Sequence, residues 1–137
     1  MRLTLALAQT RSVLGDLAAN LERHVELARR ARELGAHVVI FPELGLTGYQ
    51  LKDMVPVAAV TRADARLEPL REASRGLTIV ASGVEESSDY QYHIAAFCWE
   101  DGELRHVHRK VYLPTYGMFD EQRYFSAGDR FRTFGLR

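Results

Sequence analysis

Two apolar runs flanking one amphipathic helix constrain this chain more than any other feature. Residues 3–9 (LTLALAQ) and 36–41 (AHVVIF) are apolar on both faces, so each reads as a central strand. Between them Leu17, Leu21, Val25, Ala28 and Ala31 recur at helical spacing, with Glu22, Arg23, Glu26, Arg29, Arg30 and Arg32 mainly outside. Asp16 is a fair N-cap, and Gly35 can end the helix in a left-handed conformation. A strand, a helix and a second strand in this order make a β-α-β unit with a parallel pair. The fold class is therefore α/β.

Beyond this unit, Val57, Val60, Leu67 and Leu70 mark one or two helices. Pro69 interrupts them unless it falls in a first turn, where its missing N–H costs little. Residues 77–82 read as a third buried strand, and 85–89 as a polar loop. Residues 92–100 and 103–110 read as two strands joined at Asp101-Gly102, a type I′ hairpin signal. Residues 111–130 form a long irregular stretch rich in aromatics, and stretches of that kind in a compact domain usually carry function. Residues 131–134 could start another strand. No internal repeat is present, and 137 residues fit a single domain spanning 1–137.

Composition excludes some functions. The 18 basic and 18 acidic residues cancel, so no field favours nucleic acid or an anionic membrane. The apolar run after Arg2 is shorter than the core of a secretion signal, and no run approaches the roughly 20 residues of a membrane span. One cysteine suits a reducing compartment, and the expected location is cytoplasmic.

Chemistry-bearing residues are few. Glu43 follows Pro42 at the carboxyl end of the second apolar run, where open α/β folds place their sites. A rim carboxylate that only caps a turn is the commoner reading. Cys98 invites the label of nucleophile, but regular pairing from a two-residue turn sets it opposite Arg105, on the face of Ile94, Ala96 and Val107. Lys110 then falls on the other face, with His93, Ala95, Phe97, His106 and His108. The two differ by about 17 Å along the strand, at roughly 3.3 Å per residue, and a bulge would flip the parity without closing that gap. Cys98 reads as a buried core thiol. The three histidines could share a face, but Lys110 beside them opposes a cation and no zinc spacing is completed. His24 and His37 read as surface or element-end residues.

Three segments in order, FPELGLTGY (41–49), HRKVYLP (108–114) and YGMFDEQRYF (116–125), resemble the amino-terminal half of the nitrilase, or carbon–nitrogen hydrolase, superfamily. In flavour they are most similar to the glutamine-amidase domains of NAD synthetases and to related amidases. The resemblance implies part of a four-layer α-β-β-α sandwich, incomplete at the carboxyl end. It also implies hydrolysis of a small amide through a glutamate, a lysine and a cysteine, with no cofactor and no metal. The glutamate carries to Glu43, the lysine to Lys110 and a second, assisting glutamate to Glu121. The cysteine has no counterpart and is expected beyond Arg137. Relatives commonly dimerise, so a homo-oligomer is implied. The competing readings are a glutaminase domain that supplies ammonia to an NAD synthetase, and a non-catalytic pseudoenzyme or assembly subunit.

The family's residue types suit the chemistry. A thiolate attacks the amide carbon. A carboxylate takes the thiol proton and returns it to the leaving ammonia. A fixed ammonium stabilises the tetrahedral oxyanion, and one such donor is worth roughly 3–4 kcal/mol.

Overall fold

The computed structural model describes residues 2–136. It holds one five-stranded sheet whose spatial order follows the chain: β1 (Leu5–Leu7), β2 (Val38–Ile40), β3 (Thr78–Glu86), β4 (Tyr92–Glu100) and β5 (Glu103–Arg109). The first two pairings are parallel and the last two antiparallel. Helix α1 (Leu17–Glu33) connects β1 to β2, as the β-α-β reading requires. Two short helices, α2 (Val55–Ala58) and α3 (Glu68–Ala73), connect β2 to β3. Asp16 caps α1 by accepting from the Ala19 N–H at 3.0 Å, and Gly35 leaves it at φ +79°. Pro69 falls in the first turn of α3 and leaves that helix intact.

Helices α1 and α3 pack on one face of the sheet. Leu17, Leu21, Ala28 and Leu70 meet Val39, Ile79, Ala81 and Phe97 there, and Phe97 stacks on Trp99 at 5.5 Å. Each such large side chain, fully buried, contributes roughly 1.5–3 kcal/mol. A second cluster covers one end of the opposite face, where Val84 and Ile94 meet Leu44, Leu51, Val55, Leu113 and Phe125. One helical layer on one sheet layer is the α-β half of the expected sandwich.

Several expectations are corrected. The first strand is not central: among the described residues it pairs only with β2, and Leu5 and Leu7 are exposed at 52% and 75%. An apolar alternation does not distinguish an inner strand from an edge strand with an apolar outer face. The third strand runs on to Glu86, so Glu85 is a strand residue rather than a loop residue. It is 1% exposed and held by Arg62 at 2.6 Å and by Arg109 at 2.6 Å and 3.1 Å. Two arginines make burial of one carboxylate tolerable. Residues 131–134 form no strand; Phe134 instead stacks on His106 at 4.4 Å, and Phe131 lies 5.8 Å from His108.

The hairpin turns as expected, with Asp101 at φ +50° and Gly102 at φ +80°, and Glu100 pairs with Glu103. A bulge then intervenes. Trp99 pairs with Leu104 but Cys98 pairs with His106, which leaves Arg105 as the extra residue. Regular pairing would have turned His106 into the core beside Phe97. The bulge lets both Leu104 and Val107 face the core and brings Arg109 to the side of Glu85. Cys98 therefore shares its face with His106 and His108, while His93 lies on the other, and the anticipated three-histidine face does not form.

Candidate functional site

The turn after β2 carries the first site residue. Pro42 and Glu43 leave the strand, and Leu44 adopts a positive φ of 52°. The turn is fixed from three sides. The Leu44 N–H donates to the Ser82 hydroxyl at 3.1 Å, and the Leu46 N–H donates to the Ser82 carbonyl at 2.9 Å. The Asn20 amide of α1 donates to the Leu46 carbonyl at 3.0 Å, and the Ser12 hydroxyl donates to the Gly45 carbonyl at 2.8 Å. A backbone so anchored aims Glu43 reproducibly.

Lys110 comes off the end of β5. Its N–H donates to the Ile94 carbonyl at 2.8 Å and its carbonyl accepts from Gly128 at 2.8 Å, so its backbone is fixed on both sides. Glu121 opens a 3₁₀ turn (Glu121–Arg123) within the irregular segment, and the Tyr124 and Phe125 N–H groups donate to its carbonyl. The three side chains converge. Lys110 Nζ donates to Glu43 Oε1 at 3.0 Å and to Glu121 Oε1 at 3.0 Å. Glu43 is 45% exposed at its side chain and Glu121 only 4%, so one carboxylate faces the opening while the other is buried behind the lysine. Burial pulls the Lys110 ammonium down, but its hydrogen bonds to Glu43 and Glu121, with their charges, outweigh that and hold it above its ordinary value. Lys110 is therefore a permanent cation here.

Tyr49 was not singled out by sequence reasoning, although it closes the quoted segment 41–49. Its hydroxyl donates to the same Glu121 oxygen that Lys110 uses. Burial first, then the bond to Glu121 and the charges of Glu121 and Glu43, push its ionisation upward, so it stays a donor. Tyr49 and Lys110 together fix the buried carboxylate. Beside this cluster a cleft of about 490 Å³ opens, lined by Ile40, Glu43, Val80, Ala96, Lys110 and Phe131.

Cys98 lies apart. It is buried, and burial and then the charge of Glu100, against the opposing Arg105, push its thiol up to about 11. Lys110 is tied to Ile94, four residues away along β4, or about 13 Å at roughly 3.3 Å per residue. A thiol so protonated and so distant does not attack a carbon held at Lys110. Among the described residues no group of histidine, cysteine and carboxylate side chains is placed to hold a metal ion, and no helix is long and apolar enough to cross a membrane.

Comparison with known proteins places the chain in a family. The carbon-nitrogen hydrolase family model matches residues 4–137. The glutamine-dependent NAD(+) synthetase of Thermotoga maritima is 38% identical over 130 residues, which cover 93% of this chain and 22% of that protein. The structure of the glutamine-dependent NAD+ synthetase from Acinetobacter baumannii superposes with a TM-score of 0.87 at 30% identity, covering 96% of this chain and 25% of that one. An amidase from Nesterenkonia sp. superposes with a TM-score of 0.77 at 29% identity, covering 93% of this chain and 49% of that one. The chain thus spans under a quarter of the length of the T. maritima synthetase and about half the length of the amidase.

Proposed function

The chain belongs to the carbon–nitrogen hydrolase family, and from that premise we propose that it supplies the acid–base and oxyanion groups of an amide-hydrolysing centre. One observation carries the proposal: a single ammonium, Lys110 Nζ, stands 3.0 Å from both the open Glu43 and the buried Glu121. Glu43 is the base. It takes the proton of an attacking thiol as sulfur bonds to the amide carbon, and the carbonyl oxygen gains the negative charge beside Lys110. Glu43 then returns the proton to the nitrogen, the C–N bond breaks and ammonia leaves a thioester. Water attacks that thioester, giving its proton to Glu43, and the carbon–sulfur bond breaks to release acid and thiol. Glu121 holds Lys110 in place and keeps it charged.

Cys98 is the one cysteine of the sequence and does not fit the nucleophile's place, so the thiol comes from outside these residues. In a glutamate-to-glutamine mutant of the Nesterenkonia amidase acrylamide adds to the active site cysteine, which supports a thiol nucleophile. The substrate is a primary amide, and the likeness to glutamine-dependent synthetases favours glutamine, with the ammonia passed to a synthetase. A cytoplasmic location and a homo-oligomer go with this reading on the strength of the family. Ammonia release from glutamine, acetamide and acrylamide by the intact gene product tests it. Turnover of glutamine above the simple amides is expected; no ammonia from any amide would leave the assembly-subunit reading standing.

A further inference from the structure

His24 is a buried titratable group with no part in the chemistry above. It was expected at the surface or at an element end, yet it is 1% exposed in the middle of α1. Its ring stacks on Phe41, the residue that leads into the Glu43 turn, with centroids 4.1 Å apart and planes 26° from parallel. Nδ1 lies 2.7 Å from the Asn20 carbonyl. A carbonyl only accepts, so Nδ1 carries the proton and Nε2 presents a lone pair. Nε2 is buried and has no partner. It faces Gly45: a Cβ built there would stand 3.0 Å from Nε2, and 3.1 Å from the Pro42 carbonyl. The glycine is what lets the turn rest on the ring.

We infer that His24 is a positioning residue for Glu43: its neutral ring is the floor on which the turn 42–45 sits, and the turn loses that seat when the ring takes a proton. A proton on Nε2 would place a charge and a new N–H donor against the Gly45 methylene. Nothing there accepts it. The Pro42 carbonyl accepts the Gly45 N–H at 3.1 Å and makes no bond to the ring, so serving the imidazolium would require the ring or the turn to move. An unsatisfied buried charge is costly enough that the turn must shift instead.

The surroundings isolate the ring. On α1 it meets Asn20, whose amide is bonded to the Val13 backbone and the Leu46 carbonyl. The charged residues flanking it on that helix, Arg23 and Glu26, pair with each other at the surface. Phe41 contributes no charge from β2. The turn contributes Glu43, whose carboxylate is engaged by Lys110. Burial lowers the ring's proton affinity, and the bond to Asn20 only partly offsets it. The neutral seat is therefore kept at neutral pH and lost on acidification.

Its consequence for catalysis rests on the role proposed for Glu43, but the coupling is read without turnover. In protein labelled with 15N and 13C, ring nitrogen shifts follow His24 while backbone amides follow Glu43, Leu44 and Gly45 through an acid titration. The expected result is a neutral Nδ1–H tautomer that titrates below the ordinary imidazole midpoint of about 6.5, with the three amides moving at that same midpoint. In His24→Phe, which keeps a ring on Phe41, the shared transition disappears. Should that variant not fold, Gly45→Ala presses a methyl on Nε2 from the other side, and the His24 ring and Glu43 amide resonances should move together. Turn amides that stay still as His24 titrates, or that keep the transition in His24→Phe, overturn the inference, as does an unmoved ring in Gly45→Ala.

Discussion

A lysine clamped between two carboxylates is a fixed charge and cannot be a base at neutral pH, so in the proposed reaction the proton traffic falls to a carboxylate. Exposure decides which. Glu121 is buried and tied by Tyr49 and Lys110 through one oxygen, whereas Glu43 is open to the cleft. The same argument removes Cys98. With its thiol pushed up to about 11, only about one molecule in a thousand is thiolate at pH 8, by the usual titration relation. Native protein should therefore react with iodoacetamide at Cys98 far more slowly than denatured protein, by two orders of magnitude or more. Equal rates, measured by mass spectrometry, would contradict the burial argued here. At this scale the sequence was unevenly legible. Glu43, Lys110 and Glu121 stand in short segments with family-like order, so resemblance singled out three side chains that the structure brings together. His24 was missed although it falls between Leu21 and Ala28 on the inner stripe of α1, because a titratable side chain invites a surface reading.

Among the elements, β5 shows what local rules reach and where they stop. The Asp101-Gly102 turn was readable because two adjacent residues at positive φ demand that chemistry. The bulge was not anticipated, although Leu104 and Val107, three apart, cannot both face the core in a regular strand. Its payoff is Arg109, which reaches across β4 to Glu85. This triad predicts an asymmetry. Removing both Arg62 and Arg109 leaves a 1% exposed carboxylate uncompensated and should cost about 3–5 kcal/mol. Glu85→Gln leaves two arginines that reach water, with side chains 54% and 29% exposed, and should cost about 1–2 kcal/mol. Urea unfolding of the two variants compares them; a larger loss in Glu85→Gln would refute the account of the burial. The edge position of β1 was likewise beyond the pattern, since strand order depends on contacts distant in sequence.

Across the whole molecule, one layer of helices on one sheet explains both the core and the apolar row that remains on the other face. Leu7, Ile40, Val80, Cys98 and His106 are cross-strand neighbours along that row. The global charge is zero, so acid sensitivity comes from individual groups. His24 and His93 are held below their ordinary values, chiefly by burial. Groups depressed in the folded state stay neutral there while the unfolded chain takes up protons. Their contribution is complete above about pH 6.5 and falls as pH drops through that value toward the folded midpoints. At Glu85 burial works upward, but the hydrogen bonds and charges of Arg109 and Arg62 win and hold it below its ordinary value. Its stabilisation is lost lower still, as pH falls below about 4.3. Melting temperature should thus decline in two stages on acidification, the first of them reduced in His24→Phe. A Tm flat from pH 7 to pH 5 would contradict this.

The central claim is that Glu43 and Lys110 do the chemistry while Cys98 does not. The direct test is ammonia release from glutamine by the intact gene product and its Glu43→Gln, Lys110→Ala and Cys98→Ser variants, each checked for an unchanged fold by circular dichroism. Loss of one well-placed oxyanion donor should lower kcat by about 100- to 1,000-fold in Lys110→Ala. Glu43→Gln should lose at least as much, and Cys98→Ser should keep the parent rate. Parent-like turnover in Lys110→Ala or Glu43→Gln, or its loss in Cys98→Ser, would contradict the account.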